Sequence, residues 1–220
     1  MARMGRVVIL GYPHHVTQRG NRRQKTFFSD DDYRDYIELM AEFARQSETE
    51  VWAYCLMPNH VHLVMVPTHE DGLRATLGEA HRRYTRNINF RNGWRGHLWQ
   101  ERFHSFVMDE QYLLATVRYV EWNPVKARLC RHPTDWRWSS ALAHIMGKDD
   151  QLVRVRPMLD RVADWSSYLS DEQNDNDEQI QRHTRTGRPL GDPDFVAHLE
   201  ALTGRSLMPQ RPGPKANGRN

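Results

Sequence analysis

Two histidines, His60 and His62, stand one residue apart at the start of the apolar run MPNHVHLVMVP at 57–67. In a β-strand, residues i and i+2 project from the same face, so a strand here would place two imidazoles side by side. Neutral imidazole is the commonest protein ligand for metal ions. A pair of partly buried, hydrogen-bonded histidines would give the same pattern, and two histidines alone are too few for a stable metal site.

A tyrosine and an asparagine on a later segment, DEQYLLATVRYVEWNPVKA at 109–127, could complete such a site. The segment is predicted to be a helix whose core-facing stripe is formed by Leu113, Val117 and Val120. Tyr119 and Asn123 are four residues apart, and they are therefore neighbours on a flank roughly a right angle away from that stripe. From this flank a phenol and an amide oxygen could reach a metal held by two histidines. Taken alone, each residue has an ordinary alternative: a half-buried aromatic for Tyr119 and a helix-ending residue before proline for Asn123.

A rival histidine–tyrosine pair is present earlier in the chain. Tyr84 follows His81 by three residues on another predicted helix. Tyr84 falls on the apolar stripe of that helix, so we expect it in the core. The remaining histidines considered are expected to be structural or surface residues: His14, His15, His97 and His104.

The elements that would position these residues follow the order β-α-β-β-α-β-α. They are predicted as a strand at His14–Arg19, a helix at Asp30–Gln46 with Ser29 as N-cap, strands at Val51–Met57 and His60–Val66 joined by Pro58-Asn59, a helix at Gly72–Phe90, a strand at Leu98–Met108, and a helix from Glu110 that Pro124 stops. Four strands with two crossover helices predict an α+β fold with a ferredoxin-like antiparallel sheet and helices packed on it. Further helices are predicted near Ser139–Met146 and Pro157–Leu169, and between Asp192 and Gly204.

Composition narrows the class of protein. The chain has 220 residues and a net charge of +3, but its charge is uneven. Residues 81–104 contain six arginines and one acid, residues 171–178 contain five acids and no base, and residues 181–220 contain seven bases and three acids. The two cysteines form no CxxC pair, which argues against a disulfide framework or a thiolate zinc site. No apolar stretch approaches a membrane span, and the N-terminal apolar run is too short for a signal peptide, so we expect a soluble cytoplasmic protein.

Several motifs together resemble the HUH single-tyrosine transposases, and among them the REP-associated tyrosine transposases of bacteria. They are HVTQRGNRRQ at 15–24, CLMPNHVHLVMVP at 55–67, GHLWQERF at 96–103, RYVEWNPVKARL at 118–129 and WRWSS at 136–140. The resemblance covers about residues 6–145. The later stretch RHTRTGRPLGDPDFVAHLEALTGR at 182–205 is similar to an extension seen in the REP-associated group.

The resemblance implies an HUH nuclease core and a DNA strand-transfer reaction. Tyr119 would attack a backbone phosphate of single-stranded DNA at a REP-type hairpin and form a 5′-phosphotyrosine. His60 and His62 would bind a divalent metal, Mg²⁺ or Mn²⁺. Asn123 would be the third ligand, at a position where many family members have glutamine.

The resemblance also predicts DNA-binding surfaces and a division of the chain. The candidate DNA-binding arginines are Arg19, Arg22, Arg23, Arg82, Arg83, Arg86 and Arg102. Residues 1–146 would form the catalytic domain and residues 147–180 a helical segment with an acidic linker. Residues 181–220 would be a basic extension with a disordered end, which either adds an accessory DNA contact or serves as a flexible solubilising tail. A monomer is favoured over a dimer, and DNA binding would bring this cytoplasmic protein to the nucleoid.

Two other functions remain open at this point. The chain could be a catalytically silent protein, derived from this family, that binds hairpin DNA. It could also be a metal-dependent phosphodiesterase with no covalent step. Substitution of Tyr119 by phenylalanine separates the last alternative, because hydrolysis by a metal-bound water would survive loss of the phenol.

Overall fold

A four-stranded antiparallel sheet with strand order β2-β3-β1-β4 forms the centre of the molecule. The computed structural model describes residues 5–170 and 176–208. The strands are β1 (His14–Arg19), β2 (Thr49–Met57), β3 (His60–Pro67) and β4 (His104–Val107). Helices α1 (Asp30–Gln46) and α2 (Gly72–Asn92) connect them in the order β1-α1-β2-β3-α2-β4. The predicted ferredoxin-like α+β fold is confirmed.

The two faces of the sheet are covered by different helices. Alternate strand residues such as Leu63 and Met65 pack against α1 and α2 in the larger core. Strand residues of the other set, such as Val64 on β3 and Phe106 on β4, pack against α3 (Glu110–Lys126) on the opposite face. Because strand side chains alternate between faces, His60 and His62, which precede Val64 by four and two residues on β3, also face α3.

Three predicted boundaries hold and have local causes. Ser29 caps α1 in a capping box with Asp32, a pattern that satisfies two backbone amides at the start of a helix. The β2–β3 hairpin turns at Pro58-Asn59 as expected. Asp192 accepts a hydrogen bond from the Phe195 amide at 2.7 Å and caps α8 (Pro193–Thr203), which ends at Gly204 with a left-handed φ of 62°.

Other predicted boundaries are wrong. Pro124 does not stop α3, which continues to Lys126 because the ring removes only one amide and the Ala127 N–H still donates to the Asn123 carbonyl at 2.9 Å. The strand predicted at Leu98–Met108 is paired as a strand only over β4, because Glu101 has a left-handed φ of 44° that interrupts the extended backbone. The helix predicted at Pro157–Leu169 is two short helices, α5 (Arg156–Leu159) and α6 (Trp165–Ser170). By contrast, the helix predicted near Ser139–Met146 is confirmed as α4 (Ala141–Met146).

The region after α6 contains a helix that the sequence patterns did not predict. Helix α7 (Asp177–Thr186) spans the expected boundary at residue 180 between the acidic linker and the basic extension. Its buried Ile180 packs in the core beneath α3, and Leu190 pairs with β4 through its N–H bond to the Val107 carbonyl at 2.9 Å. The expected disorder of the last residues concerns 209–220, which lie outside the described residues. Within the described ranges, no helix is long and apolar enough to cross a membrane.

Candidate active site

A cavity of about 580 Å³ opens on the α3 face, where the ends of β1 and β3 meet α3 and α7. Among its lining residues are Arg19, Arg23, His60, His62, Tyr119, Asn123, Gln181, Thr184 and Arg185. The fold therefore brings the predicted nucleophile and all three predicted metal ligands into one cavity. Two of the predicted DNA-binding arginines, Arg19 and Arg23, line the same cavity.

The pairing of β3 with β1 fixes the positions of the two histidines. His60 lies opposite Arg19 of β1 and His62 lies opposite Thr17. The His60 and His62 ring centroids are 4.9 Å apart. The Tyr119 ring lies 5.7 Å from the His62 ring, measured between centroids. The i, i+2 spacing in sequence thus becomes two adjacent imidazoles beneath the helix that carries the tyrosine.

Burial keeps both imidazoles neutral. It lowers the pKa of His60 to about 4, with a further contribution from the Arg19 guanidinium. Burial also holds the pKa of His62 well below its ordinary value, and His60, His15 and Arg19 act in the same direction. Neutral imidazole is the form that ligates a metal. At neutral pH no proton has to leave either ring before a cation binds.

The hydrogen bonds of His60 fix which of its ring nitrogens is protonated. The Asn59 side-chain amide donates to the Arg23 carbonyl at 3.0 Å, which turns the Asn59 Oδ1 atom towards His60. This oxygen is 2.7 Å from Nδ1 of His60. Since a carbonyl oxygen only accepts, Nδ1 carries the proton and Nε2 keeps its lone pair. A second residue that orients a ligating histidine in this way is usual around protein metal ions.

Asn123 can supply an oxygen to the same site. Its side-chain amide donates to the Tyr119 carbonyl at 2.7 Å, one turn back on α3. The Asn123 Oδ1 atom has no hydrogen-bond partner among the described residues. No group of three histidine, cysteine or acidic side chains suited to a metal occurs in the ranges 5–170 and 176–208. The three predicted ligands therefore offer two imidazole nitrogens and an amide oxygen. This set fits a divalent cation and suits Mn²⁺ better than Mg²⁺, which prefers oxygen ligands.

Tyr119 is 8% exposed, and its phenol is held in the protonated form. Burial raises its pKa to about 12, and the Asp177 carboxylate adds to this rise. Arg19 and a hydrogen bond from the Gln181 side chain lower the pKa of the phenol. Lys126 lies 5.1 Å above the Tyr119 ring and pairs with Asp177, so charges of both signs from α3 and α7 surround the phenol.

A buried carboxylate fixes the tyrosine helix from behind. Glu121 of α3 is fully buried. It accepts hydrogen bonds from Ser140 Oγ at 2.6 Å, His144 Nδ1 at 2.6 Å and Trp165 Nε1 at 3.0 Å. These partners come from the N-terminal ends of α4 and α6 and from the middle of α4. Three donors on one buried carboxylate hold the helix in one rotational setting above the sheet.

Sequence patterns missed several residues of the cavity. Gln181, Thr184 and Arg185 belong to α7 and line the cavity. The helix does carry signals that could have revealed it: acids in its first turn, bases in its last turn, and Gly187 after its end with a left-handed φ of 70°. His15, expected to be structural or on the surface, is buried beside the site, with its ring stacked 5.2 Å from the His62 ring.

The remaining predicted DNA-binding arginines lie elsewhere. Arg22 is exposed beside the cavity, in the short 3₁₀ turn at Asn21–Arg23. Arg82, Arg83 and Arg86 are on α2, across the sheet from Tyr119; Arg82 pairs with Glu79 at 2.6 Å and Arg83 with Glu42 at 3.3 Å. Arg82 and Arg102 line a second cavity of about 490 Å³ that also includes His81 and Trp99.

Tyr84 does not form a rival site. It is 1% exposed, as predicted for a core residue, and its hydroxyl donates to the Thr26 carbonyl at 2.7 Å. His81 instead hydrogen-bonds the Tyr36 hydroxyl, with 2.9 Å between Nε2 and the oxygen. Burial raises the pKa of Tyr84 far above its ordinary value.

Comparisons with known proteins show the family and the fold. The family model described as "Transposase IS200 like" matches residues 9–123. A Haemophilus influenzae protein that carries the name of a REP-associated tyrosine transposase is 28% identical over 121 residues, which are 48% of this chain and 69% of that protein. The solved structure of a REP-associated tyrosine transposase bound to a REP hairpin superposes with a TM-score of 0.58 at 21% identity, over 70% of this chain and 93% of that one. At that identity the structural match supports the fold alone.

Proposed function

This chain belongs to the IS200-like transposase family, and from that premise we propose that it cleaves and rejoins single-stranded DNA at REP-type hairpins through a covalent bond to Tyr119. The observation that carries the proposal is the cavity on the α3 face. In one chain it holds a phenol with its ring 5.7 Å from that of His62, two neutral imidazoles and a free amide oxygen. A protein that only binds DNA has no need for this combination.

The reaction is a pair of transesterifications. The Tyr119 Oη atom attacks the phosphorus of a backbone phosphate, and the bond from phosphorus to the 3′ oxygen breaks. The phenol proton is lost to solvent and the departing 3′ oxygen takes up a proton, which leaves a 5′-phosphotyrosine and a free 3′-hydroxyl. Attack by a 3′-hydroxyl on the phosphotyrosine reverses these steps and reseals the strand. The bond energy stays in the phosphotyrosine, so no nucleotide hydrolysis is needed.

Side chains of this chain would prepare the phenol and the phosphate. His60, His62 and Asn123 would hold a divalent cation, Mn²⁺ or Mg²⁺, which supplies charge stabilisation and orientation to the phosphoryl group. The Gln181 amide, which hydrogen-bonds the phenol and lowers its pKa, favours the developing phenolate. Arg19, Arg23 and Arg185 line the cavity, where guanidinium groups would bind the neighbouring phosphates.

The DNA would contact more than the cavity. Four arginines on and near α2 would bind phosphates of the hairpin at a distance from the cleaved bond: the exposed Arg82, Arg86 and Arg102 and the half-buried Arg83. Arg22 would bind next to the cavity. Such a substrate would place the protein at the bacterial nucleoid.

We assign residues 1–146 to the catalytic domain, residues 147–180 to a connecting segment and residues 181–220 to a basic extension with an accessory DNA contact. The positions of Gln181 and Arg185 support a role for the start of this extension at the cleavage cavity itself. We also propose that one chain acts alone, because Tyr119 meets the histidine pair of its own chain.

The test uses a single-stranded hairpin from the host's own repeats, labelled at the 5′ or the 3′ end, with Mn²⁺ or Mg²⁺. The expected result is a protein–DNA adduct that survives denaturing electrophoresis and carries the 5′ end of the downstream fragment. Tyr119→Phe, His62→Ala and chelator should each abolish it. Cleavage without an adduct that persists in Tyr119→Phe would indicate metal-dependent hydrolysis. Tight hairpin binding without cleavage would indicate a catalytically silent binder.

A further inference from the structure

His62 is held by a chain of contacts that begins outside the histidine motif of β3. Its Nδ1 atom is 3.0 Å from Nε2 of His15 on β1. Nδ1 of His15 is in turn 3.3 Å from the hydroxyl of Thr184 on α7. His15 is 1% exposed, so neither of its ring nitrogens can turn to water instead. Three elements, β3, β1 and α7, thus meet through these three side chains.

The direction of each of these hydrogen bonds follows from the group at the end of the series, the Ile180 carbonyl, which can only accept. The Thr184 hydroxyl is 2.8 Å from this carbonyl, so the single hydroxyl proton is committed there. The Thr184 oxygen can then only accept from His15, which places the proton of His15 on Nδ1. Nε2 of this neutral ring keeps a lone pair, and it accepts from Nδ1 of His62. The remaining nitrogen of His62, Nε2, is left with its lone pair.

We propose that Thr184 is a positioning residue that sets the tautomer of His62 through His15, so that Nε2 of His62 can bind a divalent metal. The metal rests on the proposed function, whereas the tautomer can be measured without it. The device matches the one on the neighbouring ligand, since Asn59 leaves the same nitrogen free on His60. The two ligands therefore have the same tautomer but receive it from residues far apart in the sequence.

Loss of the Thr184 oxygen would reverse the direction of the hydrogen bond between His15 and His62. A buried Nδ1–H of His15 without an acceptor is unfavourable, and moving the proton to Nε2 removes that group. His15 would then donate to Nδ1 of His62, and the proton of His62 would move to Nε2. That nitrogen could no longer ligate without losing a proton. The rings need not move for this change, because the distance between the two nitrogens stays the same.

The first experiment reads the tautomers of the full-length, metal-free protein by long-range ¹H–¹⁵N NMR of the histidine rings, with His15→Gln and His62→Gln used to assign the signals. In the wild type, the proton of each of these two histidines should be on Nδ1. Thr184→Val, which has nearly the same shape but no hydroxyl, should move the protons of both rings to Nε2. Thr184→Ser, the matched control, should preserve the wild-type pattern. Thr184→Ala, a second hydroxyl-free variant, is measured alongside the valine variant, and backbone amide shifts show whether either substitution displaces α7.

The second experiment measures Mn²⁺ binding by the metal-free variants, by electron paramagnetic resonance. Removal of a residue that orients a metal ligand weakens binding by about 10- to 100-fold, and Thr184→Val should fall in that range while Thr184→Ser stays near wild type. A wild-type His62 protonated at Nε2 would overturn the proposal. So would an unchanged ring spectrum in both hydroxyl-free variants, or a shifted spectrum with unchanged Mn²⁺ affinity. None of these outcomes depends on DNA cleavage, so the proposed function could fail separately.

Discussion

The cavity around Tyr119 has two walls that differ in how the fold holds them. The sheet wall consists of Arg19, His60 and His62 on β1 and β3, the two inner strands of the sheet. The α7 wall consists of Gln181, Thr184 and Arg185. The inner strands are paired on both sides, whereas α7 has one buried residue among those described, Ile180. Elements with few buried contacts open more easily than core strands.

This difference separates two kinds of contribution to one site. Two of the three groups proposed to bind metal, His60 and His62, stand on the sheet wall, where strand β3 fixes their spacing. Gln181 and Arg185, proposed to adjust the phenol and to bind a phosphate, stand on the α7 wall, which depends on a few contacts that include the Lys126–Asp177 ion pair. Substitutions on the sheet wall should therefore nearly abolish DNA cleavage, whereas substitutions on the α7 wall should only change its rate or the affinity for DNA.

The largest effect is expected from the sheet wall. His60→Ala should lower the rate of adduct formation by about 1,000-fold, because a lost metal ligand removes several kcal/mol of charge stabilisation at the phosphoryl group. Single-turnover cleavage of a labelled hairpin measures this rate. His69→Ala, which changes an exposed histidine two residues after β3, is the control and should be close to wild type. Equal losses in both variants would show that the effect is not specific to the site.

The support behind Tyr119 gives the next largest effect. Glu121→Ala removes the acceptor shared by Ser140, His144 and Trp165, and leaves buried donors without partners. The free energy of unfolding should fall by about 3 kcal/mol. Urea denaturation measures it, with Glu38→Ala, an exposed glutamate on α1, as a control expected to change by less than about 0.5 kcal/mol. A stability equal to that of the control would contradict the anchoring role of this carboxylate.

On the α7 wall, Arg185→Ala should weaken binding to the hairpin by about tenfold and reduce the salt slope of log K by about 1, as expected for one lost phosphate contact. Fluorescence anisotropy at several salt concentrations measures both quantities. Arg182 is exposed on the same helix but does not line the cavity, so Arg182→Ala is the matched control. A larger loss in the control would place the DNA on a different side of α7.

The smallest effect concerns the phenol itself. Because the pKa of Tyr119 is about 12, the phenolate fraction, and with it the cleavage rate, should rise with pH between about 7 and 9. Gln181→Leu removes a hydrogen bond that lowers this pKa, so its rates should be about three- to fivefold lower across that range with the same slope. Asp177→Asn should act in the opposite direction, because the Asp177 carboxylate raises the pKa. A loss in Gln181→Leu as large as in His60→Ala would remove the distinction between the walls.

The residues of the sheet wall and of α3 could be predicted from the sequence because short local patterns place them. Strand alternation by itself places His60 and His62 on one face, and the spacing of Tyr119 and Asn123 places them on one helix flank. Both predictions depend on neighbours within four residues. The resemblance to a known family then assigns roles to these residues, and the cavity brings the four together.

The α7 wall could not be predicted in the same way. The end signals of α7 are present in the sequence, but the acids before residue 179 resemble a linker, and the single apolar residue Ile180 gives no repeating apolar stripe. A single histidine on a strand, such as His15, has no distinctive spacing. Its role emerges only when β1, β3 and α7 meet through contacts 47 and 169 residues apart in sequence. The break near Glu101 depends on a left-handed backbone at a non-glycine residue, which composition does not reveal.

We propose that one chain assembles both the nucleophile and the histidine pair, and a mixture of two inactive variants tests this proposal. His62→Ala retains the tyrosine, and Tyr119→Phe retains the histidines. If each site is built within one chain, an equimolar mixture should form no more hairpin adduct than the two variants do separately, while the wild type forms it readily. Restored adduct in the mixture, carried by the His62→Ala chain, would show that Tyr119 serves the histidines of another chain and would contradict the account.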